Sequence, residues 1–416
     1  MKAAIVLHLY QPPVQEESVL KLVASECYIP LIKFLKNRKN HRFTLNIPLS
    51  LLELMDKYGY KSWINEIKSL HESEKIELTG SGAYHPLLTE IPQKVVEEEI
   101  VLNEYGLGYY FGSTQGFEGE PSVLIKNIHG FFPPELAVNQ NLIETLSSFG
   151  YKWVLCEKTA LIPGFKGEGS VFSVKDTDLK VVCRDRDLSN MLSFKRDMVP
   201  EDLVSYIESK RDLKYPTVIA LDGEYFGHHF KEGLFLLENL LDRLDEHGVV
   251  FDTVSNILEE FGSVEIDGIG ESSWGASDEE FSHNDIYPYW ISSDNELQVL
   301  LWKLQKLILS NYISDEFVVN STELQNVPVW DSNEINNVKE ENIRNNINNY
   351  ILVNKFIHSD KFWWSSNKEI LGKKLYHPGL VENAMKIAEG ITKYYKDGEK
   401  ITEVKRIIEE IRELLK

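Results

Sequence analysis

The sequence predicts an α/β fold over residues 1–262, a parallel sheet either open or closed into a barrel, with an α-helical domain over residues 263–416. Three observations carry this. Short apolar runs alternate with amphipathic stretches as far as Gly262, which is the order of strands and crossover helices in a parallel sheet. Polar and aromatic clusters follow the runs directly, where sites form on such sheets. Beyond Gly262 the short runs stop and longer amphipathic stretches take over.

In chain order, residues 3–7, 43–47, 76–79, 130–132, 153–156, 180–183 and 217–221 each read as a strand. They are apolar nearly throughout, as strands buried on both faces are. Residues 50–58, 61–72, 93–105, 140–149 and 232–247 read as the helices between and after them. Residues 271–289 form a polar, aromatic-rich loop that contains Trp274 and lies close to Trp290. Residues 296–309, 381–395 and 401–415 read as amphipathic helices, the last with Ile401, Val404, Ile407, Ile408, Ile411 and Leu414 on one stripe. The Asn-rich stretch 333–354 fits a polar helix or a loop.

Composition narrows the function. The chain has 416 residues, 43% hydrophobic and 26% charged, and so resembles an ordinary globular protein. No stretch approaches the ~20 apolar residues of a membrane span. The apolar start is cut off at His8, too soon for a signal peptide. Cys27, Cys156 and Cys183 are far apart and form no CxxC pair, so a reducing, cytoplasmic location is expected. A net charge of −21 argues against nucleic acid, which needs a basic patch, and against anionic substrates or membrane surfaces. A neutral polyhydroxylated partner meets no such repulsion. These features leave the oligomeric state open.

Two carboxylates stand apart from the many on solvated helical faces. Glu135 closes Gly130-Phe131-Phe132-Pro133-Pro134-Glu135, after a short strand and two stiffening prolines; a helix N-terminal Glu would look the same. Asp222 ends Val218-Ile219-Ala220-Leu221 and opens Asp222-Gly223-Glu224-Tyr225-Phe226-Gly227-His228-His229. A turn-capping Asp is the plain alternative, yet a second acid, two histidines and two aromatics crowd the same turn. Local pattern leaves Asp222 and Glu224 both open as an acid. Two carboxyls in different environments are what glycoside cleavage requires.

Other clusters could surround them. His8-Leu9-Tyr10-Gln11-Pro12-Pro13 and Gly80-Ser81-Gly82-Ala83-Tyr84-His85-Pro86 also follow strands. Their His8, Gln11 and His85 read as structural groups or as donors to sugar hydroxyls. Trp274 and the pair Trp363-Trp364 are candidate sugar platforms, with core packing the stronger reading of the pair. His228, His229, His8 and Asp222 could supply nitrogen and oxygen metal ligands. The sequence has no HExxH arrangement, so neither a metal nor a cofactor is expected.

Taken in order, these clusters resemble the sequence regions of glycoside hydrolase family 57. His8-Leu9-Tyr10-Gln11-Pro12-Pro13 is similar to the first region, usually His-x-His-Gln-Pro. Gly82-Ala83-Tyr84-His85-Pro86-Leu87-Leu88, with Ile91-Pro92, resembles the second, and Gly130-Phe131-Phe132-Pro133-Pro134-Glu135 the third. Leu221-Asp222-Gly223-Glu224-Tyr225-Phe226-Gly227-His228 resembles the fourth, and Glu271-Ser272-Ser273-Trp274-Gly275 falls where the fifth would be. Arg184-Asp185-Arg186-Asp187-Leu188-Ser189 looks like the arginine-bearing segment, and Phe362-Trp363-Trp364-Ser365 is a further match.

The resemblance implies a (β/α)7 barrel followed by a helical domain, a retaining mechanism and no essential metal. It implies Glu135 as nucleophile and Asp222, rather than Glu224, as general acid/base. His8, Tyr10, Gln11, Tyr84, His85, Arg186, Glu224, His228 and Trp274 are then expected to bind substrate. Tyr10 departs from the pattern, standing where a second His is usual; a phenol donates a hydrogen bond but carries no positive charge at neutral pH. The expected activity is hydrolysis or transglycosylation of α-linked glucans, of α-amylase or 4-α-glucanotransferase type. An α-galactosidase of the same family, a metal-dependent polysaccharide deacetylase and an inactive carbohydrate-binding homologue are the alternatives.

Overall fold

Ten strands share one curled sheet: β1 (Lys2–His8), β2 (Phe43–Asn46), β3 (Ile76–Gly80), β4 (Gly130–Phe131), β5 (Trp153–Cys156), β6 (Val171–Val174), β7 (Lys180–Cys183), β8 (Thr217–Asp222), β9 (Val250–Phe251) and β10 (Val264–Ile266). The computed structural model describes residues 2–112, 128–161, 169–195, 199–314, 335–370 and 372–416. Seven strands run parallel in the order β8-β1-β2-β3-β4-β5-β7. They are the seven that the apolar runs predict, and with their helices they form a (β/α)7-type barrel. Between β7 and β8 the curl is joined without a strand ladder. There the Asp185 amide donates to the Val218 carbonyl at 2.7 Å, and Arg184 Nη1 donates to that of Ala220 at 2.9 Å.

Side-chain parity decides what the barrel holds. Successive residues of a strand face opposite sides. Ala3, Ile5 and Leu7 pack outward on the helices, whereas Ala4 and Val6 share an inner cluster with Val218, Ala220, Trp153, Leu155 and Val182. The next residue of the inner row on β1 is His8, and on β8 it is Asp222. Register places His8 opposite both Asn46 and Asp222, and Asn46 opposite Thr79. An apolar interior thus ends in a polar row at the carboxyl ends of the strands. The opposite end is plugged by helix Val254–Glu260, whose Ser255 amide donates to Glu77 at 3.2 Å, and Thr44 Oγ1 of β2 donates to the same carboxylate at 3.0 Å.

Helices Leu49–Lys57, Lys61–Glu72, Gln93–Phe111, Gln140–Ser148 and Gly233–Glu246 follow the amphipathic stretches closely. Strands β6, β9 and β10 were not expected, and β10 means that residues beyond 262 add to the sheet before the helices begin. The helices Glu296–Ser314, Glu341–Phe356, Pro378–Ile391 and Gly398–Leu415 then pack on one another. Val404, Ile407, Ile408 and Ile411 are buried as the stripe requires, while Leu414, in the last turn, is exposed. The Asn-rich stretch is helical from Glu341; its residues 333–334 lie outside the described residues. Asn349 and Asn354 are buried. Polar bonds fasten the helices to the barrel: Tyr312 Oη donates to Glu98 at 3.0 Å, and Lys355 pairs with Glu53. Among the described residues no helix is long and apolar enough to cross a membrane.

Candidate active site

Glu135 enters the barrel mouth from the turn after β4. Pro133 and Pro134 fix the approach, and Glu135 and Leu136 both take left-handed backbone, with φ of 58° and 47°. Such conformations cost about 1–3 kcal/mol each in non-glycine residues and persist where the surroundings enforce them. Here the enforcement is visible. The Trp274 amide donates to the Glu135 carbonyl at 3.0 Å, and Trp274 Nε1 donates to Glu135 Oε2 at 2.8 Å. Ser359 Oγ, from the helical part of the chain, donates to Oε1 at 2.9 Å. Both carboxylate oxygens therefore accept hydrogen bonds, the arrangement an ionised carboxylate fills.

Beside Glu135 four rings stack. Phe132 and His8 lie 4.7 Å apart, His8 and His85 5.0 Å, and His85 and Tyr10 4.0 Å, with planes within 24° of parallel. His8 Nδ1 is 2.7 Å from Asn46 Oδ1, and burial holds its pKa down to about 4 against that bond. Burial likewise keeps His85 well below the usual imidazole range. Tyr10 Oη donates to Asp360 Oδ2 at 2.6 Å. Burial pushes the Asp360 carboxyl up, but its bonds to His358 and Tyr10 and the His358 and His85 charges outweigh this, and it stays below the usual range.

Asp222 ends β8 with its side chain open to the mouth, and its carboxyl makes no hydrogen bond to another described residue. Protein surrounds it on the remaining sides and raises its pKa to about 6; Arg184 opposes the rise and the Asp360 charge adds to it. The open face shields part of this effect, so the direction is firmer than the size. Burial, the Asp360 charge and the Asp222 charge together push Glu135 up to about 8, against the Trp274 and Ser359 bonds. Three carboxyls that feel one another share protons as a group.

Glu224 feels the Asp222 charge, which adds to burial in raising it to about 8, but its bonds turn it away from the mouth. It is buried beneath the first loop, where Tyr28 Oη and the Tyr10 amide, at 3.0 Å, donate to it. It supports the loop that carries Tyr10, as does Gln11, whose Nε2 donates to Tyr28 Oη at 3.0 Å. Tyr84 points away, its Oη donating to Glu53 at 3.0 Å under the helical domain. His228 sits at the rim with Nδ1 2.7 Å from Glu26 Oε2. Arg186 ties down the Trp274 loop through Asp278 at 2.8 Å and the Ala276 carbonyl. It is Arg184, two residues earlier, that lies over the Trp274 ring at 5.6 Å, paired with Glu157. Among the described residues no group of three or more His, Cys, Asp or Glu side chains could hold a metal ion.

Sequence reasoning missed Ser359, Asp360 and Arg184. The first two stand three and two positions before Phe362-Trp363-Trp364, so that match stopped short of the residues that reach the site. The tryptophans themselves pack: Trp364 is buried, and Trp363 lies 5.0 Å from Tyr289 and 5.5 Å from Trp290. Lys361, fully buried, braces the turn from behind by donating to Gln305 Oε1 and the His358 carbonyl, both at 2.7 Å.

The model of glycosyl hydrolase family 57 matches residues 7–269. The chain belongs to that family. A curated α-amylase of Pyrococcus horikoshii is 24% identical over 235 residues, which are 53% of this chain and 33% of that protein. The chain thus spans about a third of the length of the curated relative it matches. Among solved structures, a family 57 branching enzyme from Thermococcus kodakaraensis superposes with a TM-score of 0.68 at 15% identity, over 99% of this chain and 95% of that one. A 4-α-glucanotransferase from Thermococcus litoralis gives 0.64 at 15% identity, over 94% and 60%. A maltose-forming amylase from a Pyrococcus species gives 0.69 at 14%, over 98% and 82%. At such identities the likeness shows the fold. For this family 57 chain, the matched segment holds Glu135 and Asp222, whereas Trp274, Ser359 and Asp360 come from beyond it.

Proposed function

We propose that this chain acts on α-linked glucans with retention of configuration, through a glycosyl-enzyme intermediate on Glu135. The observation that carries the reading is one barrel mouth holding two unlike carboxyls. Glu135 has both oxygens bonded by fixed donors, while Asp222 has no hydrogen-bond partner among the described residues and faces open space. A carboxylate held by two donors is placed to attack, and an unbonded carboxyl is free to reach the glycosidic oxygen. Ionising Glu135 raises the affinity of Asp222 for its proton, since like charges disfavour each other. Asp222 then protonates the leaving oxygen, and afterwards takes a proton from water or from an acceptor sugar hydroxyl. Asp360 and Arg184 line the same mouth, and Trp274 offers a ring to the sugar.

The glucan reading leans on the family and on relatives described as amylase, branching enzyme and glucanotransferase. Residues 1–262 would be the catalytic barrel, and residues 263–416 a helical domain that lends it Trp274, Ser359 and Asp360. Three free thiols suit a reducing cytoplasm. The test is turnover of maltooligosaccharides, amylose and α-galactosides by the chain and by Glu135→Ala. Loss of turnover by a factor on the order of 10³ or more in the variant supports the reading. Equal activity in the two proteins overturns it, and turnover confined to α-galactosides moves the substrate within the family.

A further inference from the structure

Behind Glu135 the hydrogen bonds form one chain through Ser359, His85 and His8 to Asn46. Asn46 Nδ2 lies 2.9 Å from Thr79 Oγ1 and 3.3 Å from the Gly80 carbonyl, so its nitrogen is on that side and Oδ1 faces His8. His8 Nδ1, 2.7 Å from that oxygen, must then carry a hydrogen. His8 Nε2 is 3.1 Å from His85 Nε2. In a neutral His8 this Nε2 is a lone pair, so His85 Nε2 carries the hydrogen between them. A neutral His85 is left with a bare Nδ1, 3.1 Å from Ser359 Oγ. That same hydroxyl is 2.9 Å from Glu135 Oε1, and one hydrogen cannot serve both neighbours.

Counting hydrogens leaves two complete arrangements. In one, Glu135 holds a proton and donates it to Ser359, whose own hydrogen points to His85 Nδ1. In the other, that proton sits on His85 Nδ1, and Ser359 donates to the Glu135 carboxylate. Both satisfy every atom of the chain with the same number of protons.

We propose that Ser359 and the His85–His8 pair form a proton relay that takes the proton from Glu135 as it becomes the nucleophile. In the transfer the O–H bonds of Glu135 and of Ser359 break. A new O–H bond forms on Ser359 and an N–H bond on His85 Nδ1, so no charge leaves the chain. Glu135 is 8% exposed, so an internal destination two hydrogen bonds away replaces release to solvent. Charged groups on every side bear on the balance. Burial disfavours both the anion on Glu135 and the cation on His85; Asp360 and Asp222 add to it at Glu135, His8 and His358 add to it at His85 while Asp360 opposes it there, and Arg184 acts on Asp222. Tyr10, stacked on His85, stays neutral because burial and Asp360 hold its phenol well above the usual range. Asn46 fixes the far end and sets the tautomers.

The inference rests on Glu135 as nucleophile. Its test is the pH dependence of kcat/KM on maltooligosaccharides for the full chain, Ser359→Ala, Ser359→Thr and His85→Asn, with Glu135→Ala as control. Asn suits position 85, where φ is 63°, because it tolerates left-handed backbone; it cannot take up the proton. Ser359→Ala and His85→Asn are expected to move the acidic limb up by about one pH unit and lower kcat about tenfold, with KM changed less than about twofold. Ser359→Thr, which keeps the hydroxyl, returns the limb to its wild-type position. An unmoved limb in Ser359→Ala, with Glu135→Ala inert, overturns the relay alone. Turnover by Glu135→Ala overturns the nucleophile reading instead. If His85→Asn does not fold, an unmoved limb in Ser359→Ala still overturns the relay.

Discussion

At the scale of single residues, the site works by giving its carboxyls unequal company. Trp274→Phe keeps a ring at the mouth and removes the N–H that donates to Glu135 Oε2. Because that bond favours the ionised form, its loss raises the Glu135 pKa. The acidic limb of kcat/KM moves to higher pH and kcat falls roughly 10–100-fold, measured by initial rates across pH. Tyr10→Phe deletes the phenol's bond to Asp360 and leaves the ring stack; it should raise KM several-fold with a smaller change in kcat, read in the same assay. Asp222 and Glu224 show what sequence can and cannot resolve at this scale. Pattern left them level, because a two-residue shift in one turn changes no periodicity. The structure separates them, since Asp222 continues the inner row of β8 and Glu224 is turned beneath the first loop. Ser359 and Asp360 were illegible for another reason: they approach Glu135 from more than two hundred positions away, and no local pattern encodes that meeting.

At the scale of elements, parity and small residues shape the mouth. The seven barrel strands were legible because each is an apolar run bounded by polar turns. Strands β9 and β10 were not, being partly exposed, nor was β6, which pairs antiparallel with β7 and so falls outside the strand-then-helix order. Gly130 on β4 was read as part of a strand, yet its role is steric: a Cβ there would lie 2.0 Å from the Trp153 ring inside the barrel. Gly130→Ala is therefore expected to destabilise by about 1–3 kcal/mol, the cost of overpacking a filled core, seen as a lower denaturant midpoint. Arg186 acts on a loop. Arg186→Ala frees residues 276–278 and with them the Trp274 segment. It should raise KM more than it lowers kcat, and leave the melting temperature nearly unchanged.

At the scale of the whole molecule, buried ionisable groups set a pH optimum of stability. Burial raises Glu99, Glu104 and Glu224 from 4.5 to about 8. Between pH 4.5 and about 8 the unfolded chain has released these protons and the folded chain still binds them, so stability falls as pH rises through that window. Burial lowers His8 from 6.5 to about 4 and lowers His41, His71, His85 and His358 too. Below pH 6.5 the unfolded chain binds protons that the folded one refuses, so stability also falls as pH drops. The two trends oppose each other between pH 4.5 and 6.5, so thermal melts should peak within that window and fall on either side of it. Glu104→Gln, which still accepts from Tyr151 Oη, should flatten the alkaline side; a slope as steep as wild type would contradict this.

The central claim is that Glu135 carries the sugar while Asp222 moves the proton. Asp222→Ala with an α-maltosyl fluoride tests it most directly. Fluoride leaves without a general acid, whereas release of the sugar then lacks its base, so the intermediate accumulates. Digestion and mass spectrometry of the trapped protein should place one glycosyl group on the peptide containing Glu135. A label on Asp360 or Glu224, or no label while substrate is consumed, would contradict the account.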